Sequence, residues 1–160
     1  MAFSLDKNRN KVNDIKKNIE IKKGEANNLE KSKQETQKMG MDIQSSNLDE
    51  KTKKKVMEGI TEEYEKISEN AKEVADEMRA DIADIESLKQ ETQEAMESSE
   101  TEKKKIEGKK AILEKIGLGK GLEYSINELS DHQKDLDTFS ATLSETGKEL
   151  DSIHQKLTML

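Results

Sequence analysis

Leucine recurs at every seventh position across the last forty residues: Leu122, Leu129, Leu136, Leu143, Leu150 and Leu157. Seven residues are two turns of α-helix, so the six side chains share one stripe of a single helix. A strand, with its period of two, would scatter them over both faces. Such a stripe must be covered by another helix. A companion row on the same face, Ser125, His132, Phe139, Thr146, Ile153 and Leu160, begins polar and becomes mostly apolar. Covering is therefore expected to be most complete from Phe139 to the end, where a third helix, from this chain or a partner, is predicted.

Composition leaves few alternatives to helices. Hydrophobic residues make up 31% of the chain and charged residues 39%, too few and too many for a compact globule. Disorder and a helical rod both fit such numbers; the regular leucine row decides for the rod. Proline and cysteine are absent, and the aromatics are Phe3, Tyr64, Tyr124 and Phe139. Strand formers are too sparse for a sheet, and disulfides, thiolate catalysis and cysteine-bound zinc are excluded.

Two more segments read as helices. The first runs from about residue 4 to 38, with Ser4 as N-cap. Its apolar residues Leu5, Val12, Ile15, Ile19, Ala26 and Leu29 are spaced by 7, 3, 4, 7 and 3, a heptad that also puts Asn8 and Lys22 on the seam. Seam polar groups cost stability but can fix register. Gly40 is the expected stop, with a linker over 39–47 and Asn47 or Ser46 capping the next helix. That helix is expected over about 48–116. One of its seam rows is Met57, Tyr64, Ala71, Met78, Ile85, Thr92, Ser99, Ile106 and Leu113, and the other is Ile60, Ile67, Val74, Asp81, Leu88, Ala95, Glu102, Lys109 and Ile116. Ala75, Ile82 and Met96 widen the stripe, so Met78, Ile82, Ile85 and Leu88 form a central face broad enough for two partners. Polarity rises over 97–105, and Ser99-Glu100-Thr101-Glu102 matches a capping box, a place for a break. Gly117-Leu118-Gly119-Lys120-Gly121 is the clearest turn, and the leucine-row helix follows over about 122–158.

The fold class expected is all-α: one helical unit over 1–160, an elongated antiparallel coiled coil or bundle of three long helices, four if the middle one breaks near Ser99. At 1.5 Å per residue the middle helix would span about 100 Å and each outer helix about 50–55 Å. Short turns make neighbours antiparallel, so the outer helices should lie along opposite halves of the middle one, their far ends meeting near Met78–Leu88. Charge agrees for the first pair: residues 1–40 carry 10 basic and 6 acidic side chains, residues 41–100 carry 8 and 18.

Candidate chemistry is thin. The glycine turn lacks the spacing, the Ser or Thr after lysine and the preceding strand of a phosphate loop. His132 and His154 are about six turns apart on one helix and cannot share a metal. Asp151-Ser152-Ile153-His154 is only half of a bundle metal site. Asp76, Glu77, Asp81, Asp84 and Glu86 read as a solvated acidic face, because a narrow rod has no pocket to separate their pKa values. Lys51, Lys53, Lys54, Lys55 and Lys103–Lys105 read as solvated basic clusters. No cofactor, metal or catalytic group is expected, and the chain reads as no enzyme. The net charge of −7 opposes a nucleic-acid binder. It also opposes adhesion to anionic membranes. No apolar run exceeds three residues, which predicts neither membrane insertion nor a cleavable signal peptide. A cytoplasmic protein is expected, with any export by a route that reads no such peptide.

What remains is helix pairing, with another helical protein or a second copy, through Leu122, Leu129, Leu136, Phe139, Leu143, Leu150, Ile153, Leu157 and Leu160. The alternative is a structural coiled-coil spacer or homo-oligomeric scaffold. The stretch Ser46-Asn47-Leu48-Asp49-Glu50-Lys51, followed by Val56-Met57-Glu58, is similar to helix starts in N-terminal domains of bacterial polymorphic toxins. Tyr124-Ser125-Ile126-Asn127-Glu128 fits a Tyr-x-x-x-Asp/Glu export signal. Together with the acidic, cysteine-free helical outline, these segments resemble the helical-hairpin substrates and adaptors of type VII secretion in Gram-positive bacteria. The chain has neither Trp nor the Leu-x-Gly triplet of that superfamily. The resemblance implies binding and delivery of a partner without catalysis, and an export role for Tyr124 and Glu128.

Overall fold

The computed structural model describes residues 3–160, and among these there is helix and turn but no strand. Helix α1 is Leu5–Gln44, α2 Glu50–Glu77, α3 Arg79–Glu114 and α4 Lys120–Thr158. Helices α2 and α3 are separated only by Met78, which keeps right-handed helical angles (φ −78°, ψ −14°). The Met78 N–H is shared among the carbonyls of Val74, Ala75 and Asp76, and the Ile82 N–H bonds back to Met78 O at 3.0 Å. The middle helix thus tightens for a residue but does not end, leaving three helices in effect. The break considered near Ser99 does not occur: α3 runs through it, with Ser99 buried in the packing. A buried seam position holds a helix that local polarity alone would weaken.

Ends are set by side chains that satisfy the orphan backbone groups. Ser4 opens α1 as expected, its Oγ accepting from the Lys7 N–H at 3.4 Å. Gly40 does not stop α1, contrary to expectation. It is buried inside the helix, in a gap where an added Cβ would lie 3.8 Å from Ile60 and 3.9 Å from Met57. The end comes at Gln44, where the Ser45 and Ser46 hydroxyls donate to the carbonyls of Met41 (2.7 Å) and Ile43 (2.6 Å). The cap of α2 is Asp49 rather than Asn47 or Ser46: its carboxylate accepts the Thr52 N–H at 2.8 Å. Hydrogen bonding from the Thr52 side chain, and next from its backbone N–H, holds the Asp49 carboxyl below its ordinary pKa. Gly117 closes α3 with φ +80°. Its N–H bonds Glu114 O at 3.1 Å and the Leu118 N–H bonds Leu113 O at 2.9 Å, the paired bonds of a Schellman cap.

The chain divides into two compact units. One contains α1 up to Asp14 with Ala83–Gly147; the other contains Ile15–Ile82 with Lys148–Leu160. In the first, α3 and α4 are antiparallel: the Gln133 amide donates to Glu100 at 2.8 Å, Lys110 pairs with Glu123 at 3.3 Å, and Gly147 faces Ile85 and Lys89. The opening of α1 joins α3 through Lys11 and Asp84, 3.8 Å apart. In the second, α1 and α2 are antiparallel, with Lys22 bonded to Glu77 and Gly40 against Ile60. The end of α4 lies alongside α1: Lys156 reaches Asn27 at 2.8 Å and Glu30 at 2.5 Å, and Lys33 donates to the Leu160 carbonyl at 3.4 Å. The ends were expected to meet near Met78–Leu88. Instead the last turn of α4 is beside the middle of α1, because a wide stripe is buried better by two helices than by one.

Candidate helix-pairing interface

Burial along the leucine row follows its neighbours. Leu136, Leu143, Leu150 and Leu157 are 0–1% exposed, and Phe139 and Ile153 are buried with them. Leu122 and Leu129 are only half-buried, as is Leu160 at the chain's last position. The companion row repeats the gradient: Ser125 is half-buried, His132 exposed, Thr146 buried. Thr146 stays satisfied by donating to Thr142 O at 2.8 Å. Of the central stripe, Met78, Ile85 and Leu88 are buried and Ile82 half-buried.

Within the first unit the change falls inside α4. Leu136 and Leu143 are sealed, whereas Leu122, Ile126 and Leu129, with Ile106 and Leu113 of α3, stay half-open to water. A pair of helices covers only part of an apolar stripe; a third is needed to close it. Ile112, Ile116, Leu118 and Tyr124 are 65–70% exposed around the same turn.

Some polar residues expected on the seam are on it. Glu102 and Lys109, expected there too, are exposed, as is Ile116, because the second row leaves the packing beyond Leu88 and Ala95. Asn8 is buried, with its Nδ2 lacking a hydrogen-bond partner; Ser99 Oγ is in the same state. Lys22 is 17% exposed. Its ammonium is bonded to Glu77 and lies 3.3 Å from Glu25. The Glu77 bond chiefly raises the lysine pKa above its ordinary value, against an opposing effect of desolvation. The acidic cluster is less a free solvated face than expected. Glu77 and Asp84 pair with α1 lysines, Asp81 accepts from the Asn18 amide at 3.5 Å, Asp76 meets Arg79 at 3.2 Å and Glu86 meets Lys89 at 3.4 Å. The basic start of α1 thus faces acidic groups of α2 and α3, the pattern their charges favour.

Tyr124 and Glu128 are one turn apart on the outer face of α4. The carboxylate's hydrogen bond and charge raise the tyrosine pKa above its ordinary value. His132 is exposed and His154 half-buried. Among the described residues no group of three or more His, Cys, Asp or Glu side chains is arranged to hold a metal. No helix among them is long and apolar enough to cross a membrane. Sequence reasoning did not find Asp49 or the contacts of Lys156 and Lys33; an Asp three residues before a Thr in a first turn was the available signal for the cap. No family model, curated protein or solved structure matches the chain.

Proposed function

We propose that this protein is a non-enzymatic helical interaction module. It pairs with a helix of another protein along the open seam made by Ile106 and Leu113 of α3 and Leu122, Ile126 and Leu129 of α4. The reading is supported above all by the contrast along one leucine row, sealed at Leu136 and Leu143 and half-open at Leu122 and Leu129. A heptad that continues past the point where its cover ends presents side chains suited to an added helix.

In its finer form, the module is an adaptor or targeting partner in a type VII-like toxin system, with Tyr124 and Glu128 as the export signal. The exposure of Tyr124 and its link to Glu128 suit a signal that another protein must read.

The test is co-expression with each gene product encoded beside it, read by size-exclusion chromatography with light scattering. The expected result is a hetero-complex that Leu122→Asp with Leu129→Asp abolishes while circular dichroism stays helical. Leu136→Asp with Leu143→Asp should unfold the chain instead. A heat-resistant monomer that joins none of these products would favour the spacer. Tyr124→Ala should stop export without affecting the complex.

A further inference from the structure

The open seam is marked by its charge as well as by its burial. On α3, Asp84 faces α1 through Lys11, 3.8 Å away. Stepping by sevens, the same face carries Glu91 and Ser98, with Glu94 and Glu102 one turn to either side of Ser98. An open groove of about 760 Å³ runs along this face past Glu94, Ser98, Glu102, Ile106 and Lys109. The Gln133 amide donates to Glu100, so in the antiparallel pair Asp131 is level with Glu102 and Asp135 with Ser98. Glu94, Glu102, Asp131 and Asp135 are exposed, and none forms an ion pair with another described residue. The acidic surplus survives a count of every neighbouring charge. Residues 91–105 hold five acidic and three basic side chains, and residues 127–137 four and one, a net −2 and −3. Ser99, one heptad before Ile106 in its row, is buried with its Oγ unpaired, a polar group left for an added helix to satisfy.

We propose that the helix received by the open seam is basic, with lysines or arginines set against Glu94, Glu102, Asp131 and Asp135 at its end next to α1. The inference rests on the helix-pairing reading above and names the chemistry of what fills that seam. The precedent is α1, whose Lys11 lies on Asp84. It is a basic helix, with 10 basic and 6 acidic side chains over residues 1–40. Apolar burial by a third helix closes the stripe that a pair leaves open. Carboxylates on both margins of the stripe then select the flanks of that helix, attracting cations and disfavouring like charge. Lys105 and Lys109 line the groove nearer the turn, so the basic stretch of the partner stops short of it. A second copy is the poorer occupant. Its α3 and α4 would bring the same carboxylates, and its basic α1 is engaged in its own packing.

Two synthetic peptides of three heptads, about 32 Å long as helices, serve as probes. Both carry isoleucine and leucine at the seam positions. The flanking positions are all lysine in one and all glutamate in the other. Fluorescence anisotropy with the full chain should show binding of the lysine peptide, weakened by salt, and binding of the glutamate peptide weaker by about tenfold or more. Glu94→Gln, Glu102→Gln, Asp131→Asn and Asp135→Asn together should weaken the lysine peptide about 15-fold, roughly a factor of two per carboxylate. Neutralising Glu58, Glu62, Glu65 and Glu69, exposed on α2, should leave its binding unchanged. Equal binding of the two peptides, no binding of the lysine peptide, or an equal effect of the two sets of variants overturns the assignment. So does a free chain that is dimeric by light scattering and becomes monomeric with Leu122→Asp and Leu129→Asp, which would make a second copy the occupant. Those two changes also test the seam itself. If they leave binding of the lysine peptide intact, the helix-pairing reading fails. If they abolish it while the carboxylate variants bind as before, only the charge assignment fails.

Discussion

Truncating Leu143 to alanine gives the sharpest test of how α4 is covered. Its side chain is fully buried. Removing three methylene equivalents at about 0.8 kcal/mol each forfeits about 2.4 kcal/mol. A cavity that the helices cannot wholly close adds about 1 kcal/mol. The expected loss is therefore about 3.5 kcal/mol. With about 2.1 cal/mol/K per residue, the unfolding entropy of 160 residues turns this into a drop in Tm of about 10 °C. Leu129→Ala removes the same atoms from a half-buried site with no closed cavity, so about 1 kcal/mol and about 3 °C are expected. Urea titration followed by circular dichroism, with thermal melts, measures both. Equal losses at the two leucines would refute the reasoning, as would Leu143→Ala splitting an oligomer while leaving the monomer's stability intact.

Asn8→Leu removes a buried amide whose Nδ2 has no partner and should stabilise the chain by about 1–2 kcal/mol in the same titration; a loss would mean that the Nδ2 is satisfied. Gly40→Ala gains helix propensity, and its Cβ meets only ordinary contacts, so a gain of about 0.5–1 kcal/mol is expected. The Asp49 cap has a lowered folded pKa; its contribution is present above the unfolded value of about 3.9 and fades as pH falls through the folded one. Asp49→Ala should lower Tm at neutral pH and lose that effect in acid, as melts at both pH values would show. Lys22, with a raised pKa, contributes fully below the unfolded value of about 10.4 and loses its contribution as pH rises through the folded one. Lys22→Gln should flatten that alkaline decline in stability.

Much of the fold was legible because its signals are periodic or local. The leucine row, the heptad from Leu5 to Leu29 and the Gly117 turn each rest on a spacing or a conformation that few residues permit. The misreading at Gly40 has a physical cause: buried neighbours decided the conformation, and a window of sequence does not contain them. The same holds for Lys156 with Glu30 and Lys33 with Leu160, contacts between residues over 120 positions apart. The half-open seam at Leu122 and Leu129 was foreshadowed by the polar start of the companion row. Which stretch of α4 lacks cover depends on where α1 lies, which heptads alone do not encode.

The central claim, that the leucine row is sealed at one end and open at the other, is read most directly by amide hydrogen exchange along α4. In the free chain, amides from about Leu136 to Leu157 should exchange only through global opening. Those from Leu122 to Leu129 should exchange through local opening, orders of magnitude faster. Binding of a partner helix should close the gap. Uniform protection along α4 in the free chain would contradict the account.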